Sequence, residues 1–155
     1  MADDALVSLS VTALPDEIAQ TFSGNLSVAP ADANDKWYYK LSTITTTSGD
    51  LIAGSFLDYT AVAAGTAPTA ITENDKVKFL FVQNQSTTDG IVLCLDGGTA
   101  AYDLVDGIFI GPSQTFTLRC PNTTVGNLHA VSADEDSAGD ASVTAIVAAL
   151  IDDVA

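Results

Sequence analysis

The sequence predicts an all-β protein: a single β-sandwich, of jelly-roll type, with about nine or ten strands. Three observations carry that expectation. Between residues 76 and 133, short apolar runs alternate with turn residues, at the spacing of about eight to twelve residues typical of sandwiches and barrels. Strand-forming aromatic and β-branched residues dominate other runs, such as KWYYKLSTITTT at 36–47. Nowhere does a sustained helical period compete with them.

Each element follows from local pattern. In LVSLSVTA, residues 6–13, Val7, Leu9, Val11 and Ala13 fall on one face and Ser8, Ser10 and Thr12 on the other, a half-buried strand at period two. Pro15-Asp16-Glu17 breaks it, and residues 18–22 read as a helical turn or loop. Ser23-Gly24-Asn25 reads as a turn, and residues 26–29 as a short strand ended by Pro30. In 36–47, Trp37, Tyr39 and Leu41 share one face. Ser48-Gly49-Asp50 has hairpin-turn chemistry. Residues 51–62 are apolar enough for one long or interrupted strand, with Gly54 as a bulge.

The stretch 76–133 is the expected sandwich core. Both faces of KVKFLFVQN are apolar through the middle, as in a strand buried between layers or under a neighbouring subunit. Further strands are expected at 91–95, 108–110, 115–120 (ended by Pro121 and Asn122) and 128–133, with turns at 84–90 and Asp96-Gly97-Gly98. In residues 141–153 the alanines permit a helix. The alternation Val143, Ala145, Val147, Ala149, Ile151 instead predicts a strand.

A chain of 155 residues fits one domain spanning 1–155. The alternative is an N-terminal β subdomain, 1–68, ending at Pro68. At this length roughly 68–70% of the unfolded surface is buried, so no disulfide or metal staple is needed. Twenty acidic residues against five Lys plus Arg give a net charge of -15. That balance argues against nucleic acid, whose binding depends on neutralising phosphates. It favours a self-repelling surface that stays dispersed at high concentration. No run approaches the ~20 apolar residues of a membrane-spanning helix. Asp3 and Asp4 stand where a secretory signal needs positive charge, so synthesis in a cytoplasm is expected.

The candidate chemistry is sparse. Cys94 and Cys120 sit among apolar strand residues and read as buried thiols, with a disulfide as the alternative. His129 is the only histidine, and no nucleophile motif accompanies it. Cys94, Cys120 and His129 lack zinc-site spacing. The acidic loop 134–140 partly resembles a calcium loop, but position five from Asp134 is Ala138 and position twelve is Ala145. Asp96, Asp103 and Asp106 read as turn formers, and Gly97-Gly98 lacks the Lys and helix of a phosphate loop. Sequons at Asn25, Asn84 and Asn122 read as incidental turn residues. No catalytic, cofactor-binding or metal residue is assigned, and an enzyme is not expected.

The runs FLFVQNQ, IVLCLDGG, IGPSQTFTLRCP and LHAVSA resemble small structural proteins of tailed bacteriophages. Their shared pattern is a strand ending in a V-x-N turn, a hydrophobic strand ending in Asp-Gly, a Pro-containing turn, and an L-H-A strand. The resemblance covers the C-terminal half and implies a virion protein, best matched by a head decoration or cement protein. Such a protein binds the major capsid protein on the capsid exterior, commonly as a homotrimer. Trp37, Tyr39, Phe79 and Phe81 are candidates for the apolar trimer contact. The alternatives are a tail, neck or fibre component, or a carbohydrate-binding module using Trp37, Tyr38 and Tyr39 as a platform.

Overall fold

The structure, a computed structural model, describes residues 4–13 and 20–154. The chain divides into two compact units, Met1–Ala33 and Asn34–Ala155. The expectations for residues 14–19, including the break at Pro15, lie outside the described residues.

The first unit holds an antiparallel ribbon of β1 (Ala5–Ala13) and β2 (Gln20–Val28). Ser23-Gly24-Asn25, expected as a turn, is the middle of β2 instead. Gly24 lies opposite Leu9, and Ser23 and Asn25 lie opposite Ser10 and Ser8. The cross-strand partner overrides the local turn preference, because nine consecutive residue pairs extend without a register shift.

The second unit is a sandwich of two four-stranded sheets. One sheet has the order β3 (Asp35–Ile44), β10 (Val143–Asp152), β5 (Lys76–Asn84), β8 (Thr115–Thr124). The other has the order β4 (Gly49–Asp50), β9 (His129–Ala133), β6 (Gly90–Cys94), β7 (Ile108–Ile110). The pairs are nested: β3 with β10, β4 with β9, β5 with β8 and β6 with β7. An eight-stranded double sheet folded back on itself in this way is a jelly roll.

The core lies between the two sheets. Strand β10 sits inside its sheet, and Val143, Ala145, Val147, Ala149 and Ile151 are all buried. Small alanines at alternate positions let larger partners interdigitate, among them Tyr38, Leu80, Val82, Ile91 and Leu93. The strand reading of residues 141–153 therefore holds.

Three local expectations need correction. Residues 51–62 form no long strand. Leu51 and Ile52 bury themselves in irregular chain, and α1 (Tyr59–Ala63) follows. The Asp58 side chain caps that turn, accepting from the Thr60 and Ala61 N–H groups at 2.9 and 3.0 Å. Gly54, read as a bulge, adopts φ +119° in the irregular segment, a region only glycine enters freely. Gly49 and Asp50 are not a hairpin turn but the short edge strand β4, paired with β9. Strand β8 runs through Pro121 instead of stopping there. It is an edge strand, and its register with β5 shifts around this point, between Arg119 and Thr123; edges and bulges are where a strand tolerates proline.

Among the described residues, no helix is long and apolar enough to cross a membrane.

Candidate functional site

The two sheets treat their outer faces differently, and this asymmetry locates the candidate site. On the β4–β9–β6–β7 sheet, Val92, Cys94, Val131 and Ala133 form a buried cluster, with Ala100 and Leu104 from the 95–107 segment packed on them. Ser48 fastens that cover: its Oγ accepts the Ala100 N–H at 2.9 Å.

The β3–β10–β5–β8 sheet has a more open outer face. Tyr39, Ala148, Phe81 and Thr117 form one cross-strand row, and Leu41, Ile146, Gln83 and Thr115 the next. Neither row carries a charge. Tyr39 is 55% exposed and Leu41 59%, while Phe81, Ile146 and Ala148 are half-buried. Apolar groups at these positions gain nothing from the core and stay in contact with water.

The face closes toward one end. Trp37 meets Phe79 edge-on, with ring centroids 6.3 Å apart. Phe79 is buried and Trp37 half-buried. Of the four aromatic residues named from sequence, Tyr39 is therefore the most open. Leu41 belongs to the same surface, as its place on the Trp37 and Tyr39 face of β3 implied, and Ile146 of β10 joins it; Ile146 was not singled out, and its signal was the apolar residue between the buried alternate positions of β10. Beyond Trp37 the Lys78 ammonium lies 2.5 Å from Asp35 Oδ1 and 3.3 Å from Asp152 Oδ2. The hydrogen bond to Asp35 raises the Lys78 pKa above its ordinary value.

The residues with catalytic or metal-binding character are arranged differently. Cys94 and His129 are cross-strand neighbours, yet each turns to its own partner. The Cys94 thiol donates to Asp96 Oδ1 at 2.8 Å. His129 Nδ1 lies 2.7 Å from the Gly98 carbonyl oxygen, and Nε2 lies 3.5 Å from Asp50 Oδ1. Because a carbonyl only accepts, Nδ1 carries the hydrogen in that bond. A cleft of about 320 Å³ borders His129, Asp50, Gly97 and Gly98. Burial, reinforced by the hydrogen bond to Asp96, pushes the Cys94 thiol pKa up; burial does the same for Cys120.

Both cysteines are free. Cys94 belongs to the outer cluster of its sheet, and Cys120 lies in the core between the sheets. The disulfide alternative is therefore excluded, and the three-residue set Cys94, Cys120, His129 is not brought together.

The acidic loop is organised by its own turn. The Asp134 N–H donates to the Ser137 carbonyl at 2.9 Å, and Ala133 bridges Ala138. Asp103 and Asp106 lie in turns, as expected. Asp96 Oδ1 also accepts the Gly98 N–H at 2.9 Å, which shapes its turn. Bonds from Cys94 and then Gly98 hold the Asp96 pKa below its ordinary value.

Tyr38 is 2% exposed and points into the core, where burial raises its pKa. It cannot share a flat platform with Trp37 and Tyr39. Asn84, one of the sequon residues, is a structural lock and not a turn residue. Its buried amide donates to the Asp89 and Gly111 carbonyls at 2.8 and 3.1 Å. Asn25 lies within β2 and Asn122 within β8.

Compared with known proteins, the chain matches no family model, no curated sequence and no solved structure.

Proposed function

We propose that this chain is a virion structural protein that decorates the outer surface of a capsid shell and stabilises it. The observation that carries the reading is the pair of uncharged cross-strand rows around Tyr39 and Leu41, left open in a protein of net charge -15, with the exposed Arg119 in the next row beside Phe79. Jelly rolls serve in viral shells and in lectins, so the fold alone selects neither. Two adjoining uncharged rows with exposed apolar groups, on a self-repelling surface, suit contact with another protein. The glycan alternative is weakened because Tyr38 is withdrawn into the core.

In this reading the partner is the major capsid protein, and the chain works as a homo-oligomer, a trimer by the resemblance. Each contact need add only a little, because several contacts per oligomer combine through effective concentration. The acidic remainder limits clumping of particles. Charges at the rim of the contact make attachment salt-sensitive.

The test mixes purified chain with expanded shells that lack it and sediments the mixture. Wild type is expected to pellet with the shells and raise their resistance to heat. The double variant Tyr39→Asp, Leu41→Asp is expected to stay in the supernatant. If wild type does not bind shells, the decoration reading is lost. Labelling confined to tails or necks in micrographs favours the other virion roles.

A further inference from the structure

Asp50 and His129 stand directly opposite one another where β4 meets β9. Opposed residues of an antiparallel pair place their side chains on the same side of the sheet. Here that side is the outer one, because Cys94, the neighbour of His129 in β6, belongs to the outer cluster. Asp50 and His129 line the cleft of about 320 Å³, together with Thr47, Ser48, Gly97 and Thr99.

The tautomer of His129 is set by its other nitrogen. Nδ1 donates to the Gly98 carbonyl at 2.7 Å, so the neutral ring keeps its lone pair on Nε2. Nε2 lies 3.5 Å from Asp50 Oδ1, and a carboxylate oxygen is also an acceptor. Two acceptors at that distance repel one another unless a cation lies between them.

We infer that His129 Nε2 and Asp50 Oδ1 form a binding site for a divalent transition-metal ion, with Zn²⁺ as the ion that fits. The first support is geometric. Zinc sits about 2.0–2.1 Å from an imidazole nitrogen and about 2.0–2.2 Å from a carboxylate oxygen. An ion at those distances from two atoms 3.5 Å apart subtends roughly 115° between them, close to the tetrahedral angle. A direct ion pair of ring and carboxylate closes instead to about 2.7–2.9 Å.

The second support is the Gly98 bond, since a backbone carbonyl on the other ring nitrogen is what orients a metal-ligating imidazole. The third is charge. A chain of net charge -15 attracts cations, and the Asp96 carboxylate, bonded to the N–H of the same Gly98, adds negative potential at the cleft. Imidazole selects zinc-class ions over calcium and magnesium, which take oxygen ligands. Cys94 is no third ligand: its thiol is committed to Asp96 Oδ1 at 2.8 Å, and metal binds the thiolate.

Two protein ligands leave two tetrahedral positions for water from the cleft. The ion clips β4 to β9, which meet through only two residue pairs. Because the clip exists only in the folded chain, zinc stabilises the fold. The site lies on the sheet opposite Tyr39 and Leu41 and does not depend on shell attachment.

Titration of zinc chloride into the full chain at pH 7, up to about 1 mM, tests it by calorimetry and by proton NMR of His129, the only histidine. One ion per chain is expected, with the His129 ring signals moving at the same midpoint. The melting temperature is expected to rise by about 2–4 °C at about five times Kd. Asp50→Asn, at a side chain 65% exposed, leaves the fold intact and weakens binding about tenfold or more. His129→Gln abolishes the one-to-one binding; if it does not fold, the wild-type ring signals and Asp50→Asn carry the test. Calcium chloride leaves the ring signals in place.

Ring signals that do not move overturn the proposal whatever heat is released, because the zinc is then held by other surface carboxylates. Binding unchanged in Asp50→Asn overturns it too, since a lone imidazole is no cross-strand chelate. Ring movement with calcium overturns the choice of a transition metal. Zinc binding without shell attachment leaves this site standing while removing the decoration reading.

Discussion

The Lys78 ammonium lies 2.5 Å from Asp35 Oδ1, and the Asp35 side chain is fully buried. Asp35 opens β3, Lys78 comes from β5, and Asp152 at the end of β10 lies 3.3 Å from the same ammonium. One cation thus joins three strands. Removing a partner from a buried pair costs about 3–5 kcal/mol. The Lys78 side chain is 33% exposed, and water offsets part of that loss. Lys78→Met is expected to lower stability by about 1–2 kcal/mol in urea unfolding.

Stability is expected to fall on the alkaline side. Cys94, Cys120, Tyr38 and Lys78 all have pKa values raised in the folded chain, above ordinary values of 9.0, 9.0, 10.0 and 10.5. Between the unfolded and folded values, the unfolded chain binds fewer protons, so stability declines as pH rises. The contribution is fully present below pH 9 and is lost as pH passes through each folded value. Unfolding midpoints from pH 7 to 11 should show a decline beginning near pH 9. Cys94→Ala combined with Cys120→Ala should move its onset toward pH 10.

Both thiols should be silent in the native state. Cys94 and Cys120 are 1% and 5% exposed, and burial keeps each protonated. The thiolate is the reactive form. A disulfide-exchange reagent at pH 8 should label neither cysteine until denaturant is added, and then both. Rapid native labelling would contradict the assigned burial.

Two glycines in strands should respond oppositely to alanine. A Cβ on Gly90 would stand 2.3 Å from Phe109 Cε2 and 2.7 Å from the Ala133 carbonyl oxygen. The ring can swing, but the carbonyl belongs to the adjacent strand. Gly90→Ala should therefore cost about 1–3 kcal/mol. Gly24→Ala meets open space and should be neutral or stabilising by up to about 1 kcal/mol. Thermal melts of the two variants check the contrast.

The open sheet face predicts another contrast, within β3. Ile44 is 5% exposed in the core, and Leu41 is 59% exposed on the other side. Ile44→Ala should cost about 2–5 kcal/mol. Leu41→Ser should change stability by no more than about 0.5 kcal/mol. Equal costs in chemical unfolding would show that Leu41 is covered.

Much of the sandwich was legible because period-two patterning survives in β8 and β10 and because β5 is apolar on both faces, as a strand inside its sheet requires. Ile108–Ile110 emerged with its expected bounds, since glycines flank it. Residues 51–62 misled because Leu51, Ile52 and Phe56 are apolar in either conformation. The competing Asp58 cap is local hydrogen bonding that hydrophobicity does not encode. Gly24 misled in the opposite sense: its preference for turns gave way to nine paired positions.

The sequence by itself determined the all-β class, the charge and the poverty of catalytic motifs, because these depend on residue type and short-range order. Only the tertiary structure decided that Cys94 and Cys120 lie in separate clusters and that Cys94 and His129 are cross-strand neighbours. It alone left Tyr39 and Leu41 exposed while covering Val92 and Val131. Apolar residues on both sides of a strand demand two covers, and only the packed chain reveals which cover it supplies itself.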